Sequence, residues 1–227
     1  GNIKDYRIWD FNIDSVNSGK LLFDLYAEYK DPRYLKALKD LRTQLQWQPK
    51  TSEGGYWHKR IYPWQMWLDG IYMGSAFLAQ YAATFDEPEA FDDVAFQVTT
   101  IEKHTRDPKS GLLYHAWDES RQMPWADPET GCSPHFWSRA IGWYVMAIVD
   151  ILDHFPQDHA ARPEFIAILE QFETPSGLLE YLTTIANIEH VTSVRPPVMR
   201  APDNLTMQAA LSVGGDRVKS DLWNASG

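Results

Sequence analysis

The sequence predicts an all-α fold in which antiparallel helical hairpins curl into a ring. Three observations carry that expectation. Apolar residues recur at three- and four-residue intervals in one segment after another; no run of alternating apolar and polar residues argues for a strand; and ionisable residues stand at the starts of alternate helices, Asp14, Asp69 and Arg139, 55 and 70 residues apart.

The first helix spans about Asn12 to Tyr29, where Leu22, Leu25, Tyr26 and Tyr29 share one face. KDPRYLKALKDLRTQLQ starts the second at Asp31-Pro32, a capping acid followed by proline at the first helical position, and Leu35, Leu38, Leu41 and Leu45 continue the period. So short a connection makes the two antiparallel neighbours. TSEGGYWHKRIYP, with Gly54-Gly55 and Pro63, reads as a loop. Trp64 to about Phe85 follows as an apolar helix through Met66, Met73, Phe77 and Tyr81, partnered by about Pro88 to Lys103, where Phe91, Val94, Ala95 and Val98 line up.

RDPKSGLLYHAWDESRQMPWADPETGCSP is then too long for a simple connector, and ordered loops of that length often carry function. Pro134 to about His154 is helical again through Ile141, Val145, Ile148, Val149 and Leu152. These hairpins form one domain, residues 1–170. Residues 171–227 lose the period and gain prolines; apart from one possible short helix near Leu205 to Leu211, they read as an irregular tail.

If hairpins curl into a ring, alternate helices line its inside and their N-termini meet at one mouth. Helix N-termini carry unpaired N–H groups and the positive end of the dipole, which favour carboxylates there and anionic ligands nearby. An acid such as Asp69, set among tryptophans and methionines, then has a reason to be there: it faces the mouth while its neighbours pack.

Composition narrows the function. With 227 residues, 44% of them hydrophobic, the chain buries a core without help from disulfide or metal. Its net charge of −10 repels nucleic acid and anionic membrane surfaces, and no apolar stretch is long enough to span a bilayer. Cys132 is the only cysteine, so no intrachain disulfide is possible. GNIKDYRIWD has neither the pattern of a secretory signal nor an initiator Met, which leaves a processed or truncated start, and a cytoplasmic or periplasmic location, open. Oligomeric state is not legible. Aromatic residues make up 14% of the chain; many belong to the core, and a surplus suits a site that stacks on the flat faces of sugars or rings.

In the stretches WHKRIYPWQMWLDGIYM, HTRDPKSGLLYHAWDES and WADPETGCSPHFWSRAIGWYVMA, and more broadly across residues 7–169, the sequence resembles the unsaturated rhamnogalacturonyl hydrolases of glycoside hydrolase family 105, relatives of the unsaturated glucuronyl hydrolases of family 88. The resemblance implies an (α/α)6 toroid, here incomplete because the matching stretch holds about three hairpins. It also implies a bacterial enzyme of pectin degradation that works after a polysaccharide lyase, removing a terminal 4,5-unsaturated uronic acid by hydrating its C4=C5 bond, with no cofactor and no metal. By position, the resemblance makes Asp69 the acid/base and Asp14 a second essential carboxylate. It places His58, Trp67, His115, Trp137, Arg139 and Trp143 against the substrate. A non-catalytic sugar-binding remnant of the same fold is the alternative.

Each of these residues also has a plainer reading. Asp14 alone looks like a helix cap, His58 and His115 like loop hydrogen-bonders without zinc-ligand spacing, and Trp137 and Trp143, six residues apart on a helix, cannot both face one side. Asp118 and Asp127 form a rival acid pair in the long loop; exposed acids are common there, which ranks them below Asp69.

Overall fold

The computed structural model of the protein describes residues 3–173. Its regular structure is mostly helical: α1 (Asp14–Asn17), α2 (Lys20–Tyr29), α3 (Pro32–Trp47), α4 (Leu68–Gly70), α5 (Ala76–Phe85), α6 (Glu89–Thr105), α7 (Ser138–His154) and α8 (Arg162–Glu173). A π-helical segment, Ile71–Ser75, joins α4 to α5 without a break. Residues 174–227, and with them the short helix expected near 205–211, lie outside the described residues.

Three helical runs stand side by side: α1 with α2, then α4 continuing through the π segment into α5, then α7. Each is backed by the helix that follows it, α3 behind α2, α6 behind α5 and α8 behind α7. This is the inner-and-outer arrangement that the spacing of the charges predicted. α3 starts where the sequence placed it, because the Asp31 carboxylate accepts from the Arg33 N–H at 2.8 Å and Pro32 needs no amide partner in the first turn. α6 carries Glu89 and Asp92 in its first turn and Lys103 and His104 in its last, charges that complement its dipole.

The core lies between the layers. Leu38, Leu41 and Leu45 of α3 and Phe77 and Leu78 of α5 are fully buried, and the Phe23 ring sits 5.3 Å from that of Phe77. Each such side chain contributes about 1.5–3 kcal/mol by leaving water. The single helix expected over 12–29 is broken at Ser18-Gly19 into α1 and α2. Gly19 sits so close to Leu41 and Phe77 that a β-carbon there would collide with both.

Four further expectations need correction. The helix expected from Trp64 begins at Leu68: Trp64 has a left-handed backbone, φ 66°, which no α-helix contains, and Gln65–Trp67 forms a strand instead. That strand, β1, pairs antiparallel with β2 (Ala116–Asp118), Met66 facing Trp117, so strands exist in a chain read as having none. Residues 134–137 are not helical: Phe136 bridges to Tyr114, and α7 starts at Ser138. Lastly, α8 was not anticipated, and it carries helical structure to Glu173, past the expected start of the tail.

Candidate active site

Asp69 is the second residue of α4 and Arg139 the second of α7, so two inner helices deliver opposite charges from their first turns to one place. Nη1 of Arg139 lies 3.2 Å from Oδ1 of Asp69, while Oδ2 of Asp69 is buried with no hydrogen-bond partner. Asp69 is only 4% exposed. Burial pushes its carboxyl above the usual aspartate range; Arg139 and His58 oppose the shift, and Asp14 adds to it.

Asp14 opens α1 beside this pair. It is not the helix cap: the Asn12 side chain accepts from the Asp14 N–H at 3.1 Å, which frees the Asp14 carboxylate for other partners. Its Oδ1 lies 3.1 Å from Nε2 of His58 and its Oδ2 2.7 Å from Nζ of Lys59. Burial alone would raise Asp14, but the hydrogen bonds and charges of His58 and Lys59 outweigh it and hold the group at about 2. Two neighbouring carboxyls are thus driven in opposite directions, one toward holding its proton and one toward staying ionised.

Asp14 and His58 are positioned from behind by α3. The buried Gln48 amide donates to the Phe11 and Trp57 carbonyls, each at 2.8 Å, and so grips the chain just ahead of both residues. Gln44 donates to the Asn12 carbonyl at 2.9 Å and to Oε1 of Gln48 at 3.3 Å, and accepts from the Tyr6 hydroxyl at 2.9 Å. Directly between the two segments, the Ile13 N–H donates to the His58 carbonyl at 3.1 Å. A buried glutamine pair, Gln44 on α3 and Gln48 just past its end, therefore sets the register of the acid and the histidine.

Aromatic rings line the rest. Trp67, at the end of β1, lies parallel to His58 (centroids 4.7 Å, 4°) and to Tyr62 (5.2 Å, 8°). His115, held by its carbonyl accepting from the Leu68 N–H at 3.0 Å, presents a buried, unpartnered Nδ1 between Trp67, Trp125 and Trp137. Burial lowers its pKa and favours the neutral ring. Trp137 stacks under the Arg139 guanidinium at 3.7 Å. One turn further along α7, Trp143 packs against Tyr72 at 4.6 Å with its indole N–H buried and unpartnered. Beneath them, Nζ of Lys20 sits 3.3 Å above the Tyr72 ring and 3.3 Å from Oδ2 of Asp150, and burial lowers it to about 8.

The structure links Asp14, His58, Trp67, Asp69, His115, Trp137 and Arg139 in one cluster of contacts, with Trp143 one turn below. It sets the rival acids apart. Asp118 accepts from Ser120 and Met123, and Asp127 from Glu129 and Thr130, so both brace turns of the long loop. Sequence reasoning missed Lys59, Tyr62, Gln65, Tyr72 and Lys20. Lys59 could have been found, since it adjoins His58 in the WHK motif; the others gave no signal distinct from packing. Among the described residues no three His, Cys, Asp or Glu side chains converge as a metal site, and no helix is long and apolar enough to cross a membrane.

Comparison with known proteins places these features in context. The family model described as Glycosyl Hydrolase Family 88 matches residues 2–174. A family 105 glycoside hydrolase of C. acetobutylicum superposes with a TM-score of 0.76 at 47% identity, covering 79% of this chain and 49% of that one. The unsaturated rhamnogalacturonyl hydrolase YesR of Bacillus subtilis is 23% identical over 209 residues, 89% of this chain and 56% of the relative. The 24.9 kDa protein in picA locus of Rhizobium radiobacter is 42% identical over 88 residues, 39% of this chain and 37% of that relative. The chain thus spans from about a third to just over half the length of these relatives.

Proposed function

We propose, for a chain that belongs to Glycosyl Hydrolase Family 88, a hydrolase that removes the terminal 4,5-unsaturated uronic acid from oligosaccharides made by a polysaccharide lyase, of the rhamnogalacturonan type. The carrying observation is the pair of carboxyls driven apart: Asp69 buried and raised with a free Oδ2, Asp14 ionised against His58 and Lys59. Protonated Asp69 delivers its proton to C4; the π electrons of the C4=C5 bond form the new C–H bond, leaving an oxocarbenium centre at C5 and the ring oxygen. Asp14, ionised across the mouth, stabilises that charge.

Asp69, now a carboxylate, takes a proton from water as the water oxygen bonds to C5. The resulting hemiketal opens to a ketone, and C1, left as a hemiacetal, expels the alcohol of the next sugar. Arg139 keeps an unpartnered Nε–H and Trp143 an unpartnered indole N–H, two donors suited to the uronate carboxylate and the ring hydroxyls. His58, Trp67, His115 and Trp137 contribute the remaining contacts, Trp67 by its edge because much of its flat surface meets other rings.

Loss of the ultraviolet absorbance of the conjugated double bond in a lyase-made disaccharide tests the reading. Turnover by the wild type that Asp69→Asn abolishes supports it. Because the described residues supply three inner helices to the mouth, a sugar-binding remnant is the second reading; calorimetric heat of binding without any absorbance change would establish that one instead.

A further inference from the structure

Trp67 would pass for a sugar platform, yet its surroundings describe another task. Its indole lies parallel to both His58 and Tyr62, and its N–H donates to Oε1 of Gln65 at 3.1 Å. An indole N–H can only donate, so the Gln65 amide is fixed with oxygen toward Trp67, and its NH2 is left buried and unpartnered in a residue 1% exposed. The amide is thus turned to serve the indole, which is held at its N–H by Gln65 and on one face by Tyr62.

What it holds is His58. That ring is 2% exposed, and Gly70 lies so close that a β-carbon there would stand 3.1 Å from Nδ1. His58 has no protein hydrogen bond at Nδ1, so close packing against Gly70, not a polar partner, holds that edge. Its orientation toward Asp14 rests on the backbone grip of Gln48, the flat contact with Trp67 and the contact with Asp14 itself.

We infer that Trp67 is a positioning residue: clamped by Gln65 and Tyr62, it fixes the plane of His58 so that Nε2 stays directed at Asp14. The inference rests on the proposed site but not on turnover. Asp14, Lys59, Asp69 and Arg139 are the charged groups around the ring, and none of them could set its plane as a stack does.

Nitrogen-15 spectroscopy of the histidine side chains in the full chain reads this directly through the exchange lifetime of the His58 Nε2–H. Trp67→Leu is expected to lose that signal to solvent exchange, while Trp67→Phe, which keeps a flat ring, retains it with a shorter lifetime. Gln65→Leu should shorten the lifetime by the same factor as Trp67→Phe, and the double variant should add nothing further, because both remove one hydrogen bond. A wild-type lifetime in Trp67→Leu, or independent effects of Gln65→Leu and Trp67→Phe, would overturn the inference. If the wild type binds sugar without hydrating it, the proposed activity falls, yet these lifetimes still decide the role of Trp67. Should Trp67→Leu weaken disaccharide binding in calorimetry while His58 keeps its lifetime, the indole is a sugar contact and the positioning role is wrong.

Discussion

Two buried polar clusters sit back to back in this molecule and obey opposite rules. At the end of α3, Gln44 and Gln48 spend their groups on neighbours: both amides donate, and both side-chain oxygens accept. At the mouth, His58, Gln65, Asp69, His115, Arg139 and Trp143 each keep a buried nitrogen or oxygen without a partner. Native interiors rarely tolerate such atoms, and tolerating several together is destabilising by a few kcal/mol or more. The first cluster is therefore a brace, and the second leaves polar groups open to water or to the substrate proposed above. Polarity alone does not separate them; satisfaction does.

The sharpest test of that division is Asp69→Asn. Removing the proton donor should lower the rate of double-bond hydration by about 10²–10⁴-fold while the circular dichroism spectrum stays unchanged. Gln48→Met should do the reverse, costing about 2–4 kcal/mol in urea-unfolding stability because carbonyls at Phe11 and Trp57 lose their donor. If Gln48→Met left stability untouched, the brace reading would fail.

Arg139→Met lies between the two. Without its cation, Asp69 rises further above its ordinary range, so the alkaline limb of the pH–rate profile moves to higher pH. kcat/KM falls by about 10–100-fold with the loss of a charge-assisted hydrogen bond. Gly70→Ala, which crowds His58, should cost about 1 kcal/mol in thermal unfolding.

The smallest effect separates the two acids by pH. Asp14 is lower in the folded state than its ordinary 3.8, so its contribution is present above that value and is lost as pH falls from about 4 toward about 2. Asp69 is raised, so ionising it weakens the fold as pH climbs from the ordinary aspartate value through its own. Stability measured against pH for Asp14→Asn and Asp69→Asn should therefore differ from the wild type with opposite slopes. Screening at Asp14, whose side chain is 38% exposed, keeps its share small.

Much of this was legible in the sequence, and the part that was not has physical reasons. Long amphipathic helices such as α3, α6 and α7 declare themselves by period, and charges recurring at the heads of alternate helices pointed to a shared mouth before any coordinates. The start of α4 was misplaced because Gln65, Met66 and Trp67 continue an apolar run that suits helix or strand alike. Only the backbone of Trp64, which no spacing rule reveals, decides between them. Asp14 as a cap was a fair local reading, undone by Asn12 two residues earlier. The Gln48 brace was invisible because its partners are main-chain carbonyls 37 and 9 residues away, and a lone glutamine at a helix end usually faces water. The family resemblance supplied the candidate residues; it could not say that Trp67 lies parallel to two other rings.

The π-helical segment between Asp69 and Phe77 has a bearing on descent as well as on shape. A wide turn of this kind holds an extra residue, and each residue of a helix advances the azimuth by about 100°. Excising one position from 71–75 would restore ordinary winding and leave Asp69, Phe77 and Tyr81 close to their present faces, because the wide turn absorbs the extra residue within itself. The bulge is thus slack between the two halves of one rod, and a single-residue deletion there should be better forgiven than one within α5, which would turn everything beyond it by about 100°.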